Sequence, residues 1–194
     1  MPKLEFYFAP GTSSMAPHIA LHETGAPFDA RPLSFATNEQ REAPFRAINP
    51  EGKVPVLVID GRPLTEVAAI LFYLARTFPE AALLPKEIEA EAQVISWLSF
   101  TAATVHPARR MGLDHAKGIY ELADGRLGAH EWAVGSYSIA DIHLFRHYWR
   151  FFNALKPEPG TFPNLDRHYA RMLARPPVQK AIEIEAALGY HLPA

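Results

Sequence analysis

Every convincing strand signal in this chain lies before residue 67. "KLEFYFA" is a short aromatic-rich strand, "FDARPLSF" reads as a second, and "VPVLVID" and "PLTE" flank Asp60-Gly61, a dipeptide suited to a tight hairpin. Pro32 places the second strand near a sheet edge. Helix signals fall between these strands. From Ser14, Pro17 fits a first turn, where its missing N–H costs nothing, and Gly25 can end the helix. "TNEQREAPFRAI" is a weak helix interrupted by Pro44, and "EVAAILFYLARTF" is a firm one, apolar over most of its surface and expected to be well buried. The connection from the first strand to the second has room for a helix, so that pair is expected to be parallel.

After this mixed α/β unit the strand signals stop. "PEAALLPKE" carries a proline near each end and reads as a linker, giving expected domains at 1–78 and 87–194 around a linker at 79–86. In "IEAEAQVISWLSFTAATVH", Ile88, Ala92, Ile95, Ser99, Ala102 and His106 fall on one helical stripe, with Leu98 and Val105 beside it. "SIADIHLFRHYWRFFNAL" opens on a capping signal, Ser138-x-x-Asp141, and is hydrophobic nearly all round, so it should run through the middle of a bundle. "FPNLDRHYARMLARPP" and "VQKAIEIEAAL" supply two more helices. Met111 to Trp132 is poorer in helix signal, because Gly112, Gly118, Gly125 and Gly128 lower its propensity.

Composition narrows the chemistry. The 194 residues, 48% of them hydrophobic, suffice for one large core or two small ones. A formal net charge of -2 argues against nucleic acid as a partner. With no cysteine the chain has no disulfide, no thiolate nucleophile of its own and no cysteine-ligated metal, which fits a reducing cytoplasm. "MPKLEFYF" carries Glu5 inside its short apolar run and lacks a signal peptide's long apolar segment, and no run approaches membrane-spanning length. A cytoplasmic chain without membrane or nucleic-acid partners is therefore expected.

The block "NPEGKVPVLVIDGRPLTEVAAILFYLA", Asn49 to Ala75, resembles the glutathione transferase family, whose N-P-x-G-K-V-P-x-L segment is followed one hairpin later by L-T-E and an apolar helix. "PGTSSMAPHIALHETGAPFD" resembles the first turn and helix of the bacterial beta class, and "SIADIHLF" and "FPNLDRHYARMLARP" resemble the buried helix of the second domain and the segment after it. The resemblance implies an α/β thioredoxin-like N-terminal domain followed by an all-α helical-bundle C-terminal domain. It implies glutathione as co-substrate, a small hydrophobic electrophile as the second substrate, a role in detoxification, no metal, and a homodimer. About Gly112 to Glu131 the chain is shorter than the family's usual helical hairpin.

The same resemblance implies a glutathione site. A cis peptide between Val54 and Pro55 would let the Val54 backbone pair with the cysteinyl backbone of the ligand, as an added strand does. Glu66, opening a helix, would take the ligand's ammonium, while helix N-terminal amides favour its carboxylate. Lys53 would add a second charge contact. The chain also departs from the family. Val67 stands where many members have serine or glycine, so only a backbone N–H remains for the γ-glutamyl carboxylate. Ser99 stands in place of a site asparagine, and Pro107 in place of a basic residue beside His106, which matches a histidine lining the site. Ser13 stands where beta-class members carry a cysteine, so thiol–disulfide exchange through the protein is not expected.

A hydroxyl can still serve. Lowering an ordinary thiol from about 8.5 to about 6.5 requires about 2.7 kcal/mol. A hydrogen bond to a charged group supplies about 1.5–3 kcal/mol, and a helix N-terminus roughly 0.3–1 kcal/mol. Three hydroxyls are candidates, in the order Ser13, Tyr7, Ser14. Each has a structural alternative: the serines as helix caps, Tyr7 as strand packing, Glu66 as a first-turn acid, His106 as a core or interface residue. His143 and His147, one turn apart without a matching third ligand, are read as structural, and Arg109 and Arg110 as a solvated face. Three functions remain open at this point: a conjugating transferase, a glutathione-dependent isomerase or dehalogenase, and a binding or interaction protein that kept the fold and lost its site.

Overall fold

In the computed structural model, which describes residues 1–190, residues 1–81 and 176–190 form one compact unit, and Ala82–Arg175 form another. The first unit holds a four-stranded sheet in the order β2-β1-β3-β4, with β1 at Leu4–Phe8, β2 at Asp29–Pro32, β3 at Val56–Ile59 and β4 at Arg62–Thr65. β1 and β2 are parallel, with Glu5 opposite Asp29, and the other pairings are antiparallel. The hairpin between β3 and β4 turns at Asp60 and Gly61, whose φ angles are 48° and 80°, the two positive values such a turn demands.

Side chains alternate across β1. Phe6 and Phe8 point to the face covered by helix α1 (Met15–Thr24), where His18 sits 4.7 Å from the Phe8 ring. Tyr7 points to the opposite face and packs with Phe45 of the short helix α2 (Ala43–Arg46) and with Val56 and Val58. Helix α3 (Val67–Thr77) buries Ile70, Leu71, Leu74 and Ala75 but leaves Phe72 36% exposed, so its apolar surface is less covered than its composition predicts. Gly25 ends α1 in the left-handed conformation, as its position in the sequence suggests.

The second unit is helical throughout: α4 (Ile88–Phe100), α5 (Leu113–Leu127), α6 (Ile139–Leu155) and α7 (Pro163–Leu173). α6 is its centre, buried at Ile142, Phe145, Tyr148 and Phe151, and it opens on the expected capping box, in which the Ser138 hydroxyl accepts from Ala140 N–H and Asp141 accepts from Ser138 N–H. α5 forms despite Gly118 and Gly125. Ala116, Tyr120, Ala123 and Leu127 are buried, and the Tyr120 ring lies 3.9 Å from that of Phe151, so packing overrides propensity there.

Two expectations change. The stripe of α4 that runs Ile88, Ala92, Ile95, Ser99, Ala102 and His106 faces outward, with Ile88 81% exposed. The buried face is Val94, Trp97 and Leu98, continued by Thr101 and Val105. Both stripes have helical spacing, and the one with the larger side chains buries the larger apolar area. A π turn at Thr101–Val105, closed by His106 N–H donating to Thr101 C=O, then shifts the register by one residue. The last helix, α8 (Pro176–Leu188), placed by sequence with the helical part, packs on α1 of the first unit instead.

Candidate active site

The segment between β1 and α1 carries three consecutive hydroxyls, and the structure uses them differently. The Ser14 hydroxyl is fully buried, accepting from Ala9 N–H at 3.2 Å and donating to Ala9 C=O at 3.0 Å. Thr12 Oγ1 donates to the same carbonyl at 2.8 Å and lies 2.6 Å from Ser14 Oγ. Ser13 sits between them, half-buried, and among the described residues its hydroxyl has no partner. Although α1 begins after Ser14, that hydroxyl turns back to Ala9 and caps no helix N–H. Ser13 is thus the uncommitted polar group at the N-terminus of α1, where helix amides and dipole favour an anion.

Two fully buried residues missed by sequence reasoning brace this segment. Glu185 of α8 accepts from Gly11 N–H at 2.6 Å and lies 2.9 Å from His18 Nδ1. No local signal marks either one: they stand 167 positions apart, and "VQKAIEIEAAL" reads only as a helix.

The turn before β3 is built by Asn49. Its side-chain amide donates to Lys53 C=O at 2.8 Å, and its Oδ1 accepts from Glu51 N–H at 3.2 Å. Gly52 holds φ 62°, and a Cβ there would meet the Gln40 carbonyl oxygen at 2.8 Å. This turn delivers Val54 and Pro55, joined by a cis peptide, to the start of β3. Lys53 Nζ lies 2.8 Å from Glu51 in an exposed ion pair. Glu66 precedes α3 with φ 69° and ψ 125°, a conformation rare for a residue with a Cβ. Its carboxylate is exposed and caps no helix N–H, while Val67 beside it is half-buried. Such backbone strain clusters at ligand sites. Tyr7 packs 5.7 Å from Phe45 on the α2 face of the sheet.

In the helical unit Ser99 and His106 are solvent-accessible. The His106 ring lies 4.9 Å from that of His147, which lies 5.0 Å from that of His143. Arg146 Nη1 donates to His147 Nδ1 at 3.1 Å, so His147 carries its proton on Nε2. Partial burial of the ring, then the charges of Arg146 and Arg110, hold His106 below the ordinary imidazole range. Burial chiefly, then Arg146, pushes His143 down to about 3 and His147 well below its usual value. These rings are neutral near pH 7. Among the described residues no group of three or more histidines, aspartates or glutamates is placed to hold a metal, and no helix is long and apolar enough to cross a membrane.

The strand–helix–strand–hairpin–helix order of the first unit, with its mixed four-stranded sheet, is that of a thioredoxin-like domain. Residues 2–76 match the model of the glutathione S-transferase N-terminal domain, and residues 100–176 that of the C-terminal domain. Glutathione S-transferase GST-4.5 of Xanthomonas campestris is 29% identical over 94% of this chain and 98% of its own length. A sphingomonad glutathione S-transferase solved in complex with glutathione is 30% identical at a TM-score of 0.85, covering 94% of this chain and 98% of its own. The bacterial beta-class glutathione S-transferase of Sphingomonas chungbukensis is 36% identical at a TM-score of 0.80, covering 93% and 98%. This chain belongs to the glutathione S-transferase family, on its bacterial side.

Proposed function

We propose that this protein binds reduced glutathione and joins its sulfur to a small hydrophobic electrophile, as a cytoplasmic, homodimeric detoxification enzyme. The observation that carries the reading is the state of Ser13: its two hydroxyl neighbours are tied into the loop, and its own hydroxyl, at the start of α1, has no partner among the described residues.

In this reading the Ser13 O–H donates to the glutathione sulfur and stabilises the thiolate over the thiol. The α1 N-terminus adds to that preference. The thiol proton leaves to solvent. The sulfur lone pair forms the new carbon–sulfur bond while the leaving group departs with its bonding electrons, or an epoxide oxygen opens and takes a proton from water. Val54 offers its backbone to the cysteinyl residue, next to Pro55. Glu66 takes the ammonium, the Val67 N–H the γ-glutamyl carboxylate, and Lys53 a second charge contact. Tyr7 ranks behind Ser13 for the thiolate, since it packs on Phe45, and Ser14 ranks last, since its hydroxyl is already bonded.

Calorimetric titration of the full chain with reduced glutathione tests the reading. Saturable binding is expected, weakened about tenfold in Glu66→Gln, equivalent to about 1.4 kcal/mol. Absence of binding by the unaltered protein overturns it and leaves a protein that kept only the fold. A panel of aryl halides, epoxides and maleyl-type acids then identifies the electrophile.

A further inference from the structure

The fully buried carboxylate of Glu185 lies on the last helix, yet its two partners belong to the segment that leads into Ser13 and to the helix that follows it. Gly11 N–H donates to Oε2 at 2.6 Å, and His18 Nδ1 lies 2.9 Å from Oε1. The His18 ring is enclosed by Phe6, Phe8, Phe28 and His22, and among the described residues its buried Nε2 has no partner. The Nδ1 of that imidazole is placed to donate to the carboxylate, so Glu185 accepts from both sides. Charge-assisted bonds of this kind are short and stiff. Gly11, at φ 71°, is two residues before Ser13, and His18 is on the first full turn after it. A cleft of about 260 Å³ beside Pro10 and Leu33 is closed on one side by Leu188, so α8 also walls this segment at its far end.

We infer that Glu185 is a positioning residue: from α8 it clamps Gly11 and His18 so that the Ser13 hydroxyl is held at the angle its donation to sulfur needs. The inference rests on the Ser13 reading given above. It makes the chain's last helix part of the thiol-activating apparatus. Glu185 touches no substrate. Its influence is geometric, because a carboxylate acting through charge alone would disfavour a nearby thiolate and raise the thiol pKa.

Two conservative variants separate geometry from charge. Glu185→Asp keeps the charge but is one methylene too short to reach both partners. Glu185→Gln loses the charge but keeps the reach, its carboxamide oxygen accepting from Gly11. The readout is ultraviolet titration of the glutathione thiol bound to the full chain. Glu185→Asp should raise the bound thiol pKa by about 0.5–1 unit, lower kcat near neutral pH about three- to tenfold, leave KM for glutathione within about twofold, and speed hydrogen exchange at the Gly11 amide. Glu185→Gln should stay within about 0.3 unit of the unaltered protein. In a Ser13→Ala background Glu185→Asp should have no further effect on the thiol. A fall in thiol pKa in Glu185→Gln, no change in Glu185→Asp, or additive effects with Ser13→Ala would each overturn the positioning role. If Ser13→Ala alone leaves the thiol pKa unchanged, it is the Ser13 reading that fails; a normal Ser13 effect beside a silent Glu185→Asp removes only Glu185.

Discussion

The Ser14 hydroxyl bridges both backbone groups of Ala9, 3.2 Å from its nitrogen and 3.0 Å from its carbonyl oxygen, five residues back along the chain. That closure folds Ala9–Ser14 into a compact loop and leaves the Ser13 hydroxyl, next to the closing residue, outside these bonds. Adjacent serines therefore have opposite consequences when truncated. Ser14→Ala orphans a buried N–H and should cost about 1–3 kcal/mol in urea unfolding. Ser13→Ala should fall within about 0.5 kcal/mol of the unaltered protein, as expected for a hydroxyl with no partner in the fold. Equal losses in the two variants would contradict this division.

Gly52 is demanded twice, by its φ of 62° and by the Gln40 carbonyl, which a Cβ would approach to 2.8 Å. Left-handed backbone costs an L-residue about 1–2 kcal/mol, and the contact adds to it. Gly52→Ala should lower stability by at least about 1 kcal/mol and, because the same turn delivers Val54, weaken glutathione binding in calorimetry. Unchanged affinity would show that the turn does not shape the ligand site.

Asp141 gathers four donors in the helical unit. It accepts from Ser138 N–H at 2.9 Å, Ser138 O–H at 3.1 Å, Ala133 N–H at 2.8 Å and His168 Nε2 at 3.1 Å. Both Asp141 and His168 are fully buried, so Asp141→Ala leaves several polar groups without partners and should destabilise by about 3 kcal/mol or more. Chemical denaturation at pH 7 is the check, and a loss below about 1 kcal/mol would contradict the argument.

Acid should destabilise the fold before the carboxylates titrate. Burial, with Arg146 and His106 nearby, pushes His143 down to about 3 from an ordinary 6.5. Burial, with His18 and Lys180 nearby, pushes His22 down to about 4. A folded pKa below the unfolded one means that the unfolded chain binds more protons, so stability is intact above about pH 6.5 and falls as pH drops toward these values. The urea midpoint should decline between pH 7.5 and 5. Because the buried His143 Nδ1 has no partner among the described residues, His143→Leu forfeits no bond there and should flatten part of that decline. An unaltered slope in the variant would contradict the assignment.

Where a feature is local, the sequence carries it. Asp60-Gly61 marks its hairpin, Gly25 its helix end, Ser138-x-x-Asp141 its cap, and the Asn49–Ala75 block the family, whose resemblance in turn implies the cis Val54-Pro55 peptide. Where two local patterns compete, the pattern alone misleads: Ile88, Ile95 and His106 are as periodic as Val94, Trp97 and Thr101, and only side-chain size and the π turn decide between the faces. Where the determinant is distant, nothing local announces it. Glu185 reaches Gly11 across 174 positions, and α8 follows its partner rather than the helices that precede it. The site's hydroxyls show the same limit. "GTSS" offers three adjacent hydroxyls, the family resemblance ranks Ser13 above Ser14, and the bonds to Ala9 set Thr12 and Ser14 apart from Ser13.

The most direct measurement is the ultraviolet titration of bound glutathione in the unaltered protein and in Ser13→Ala. The account predicts a thiol pKa about 2 units below that of the free tripeptide in the first and most of that shift lost in the second. A bound thiol that titrates identically in both proteins would contradict it.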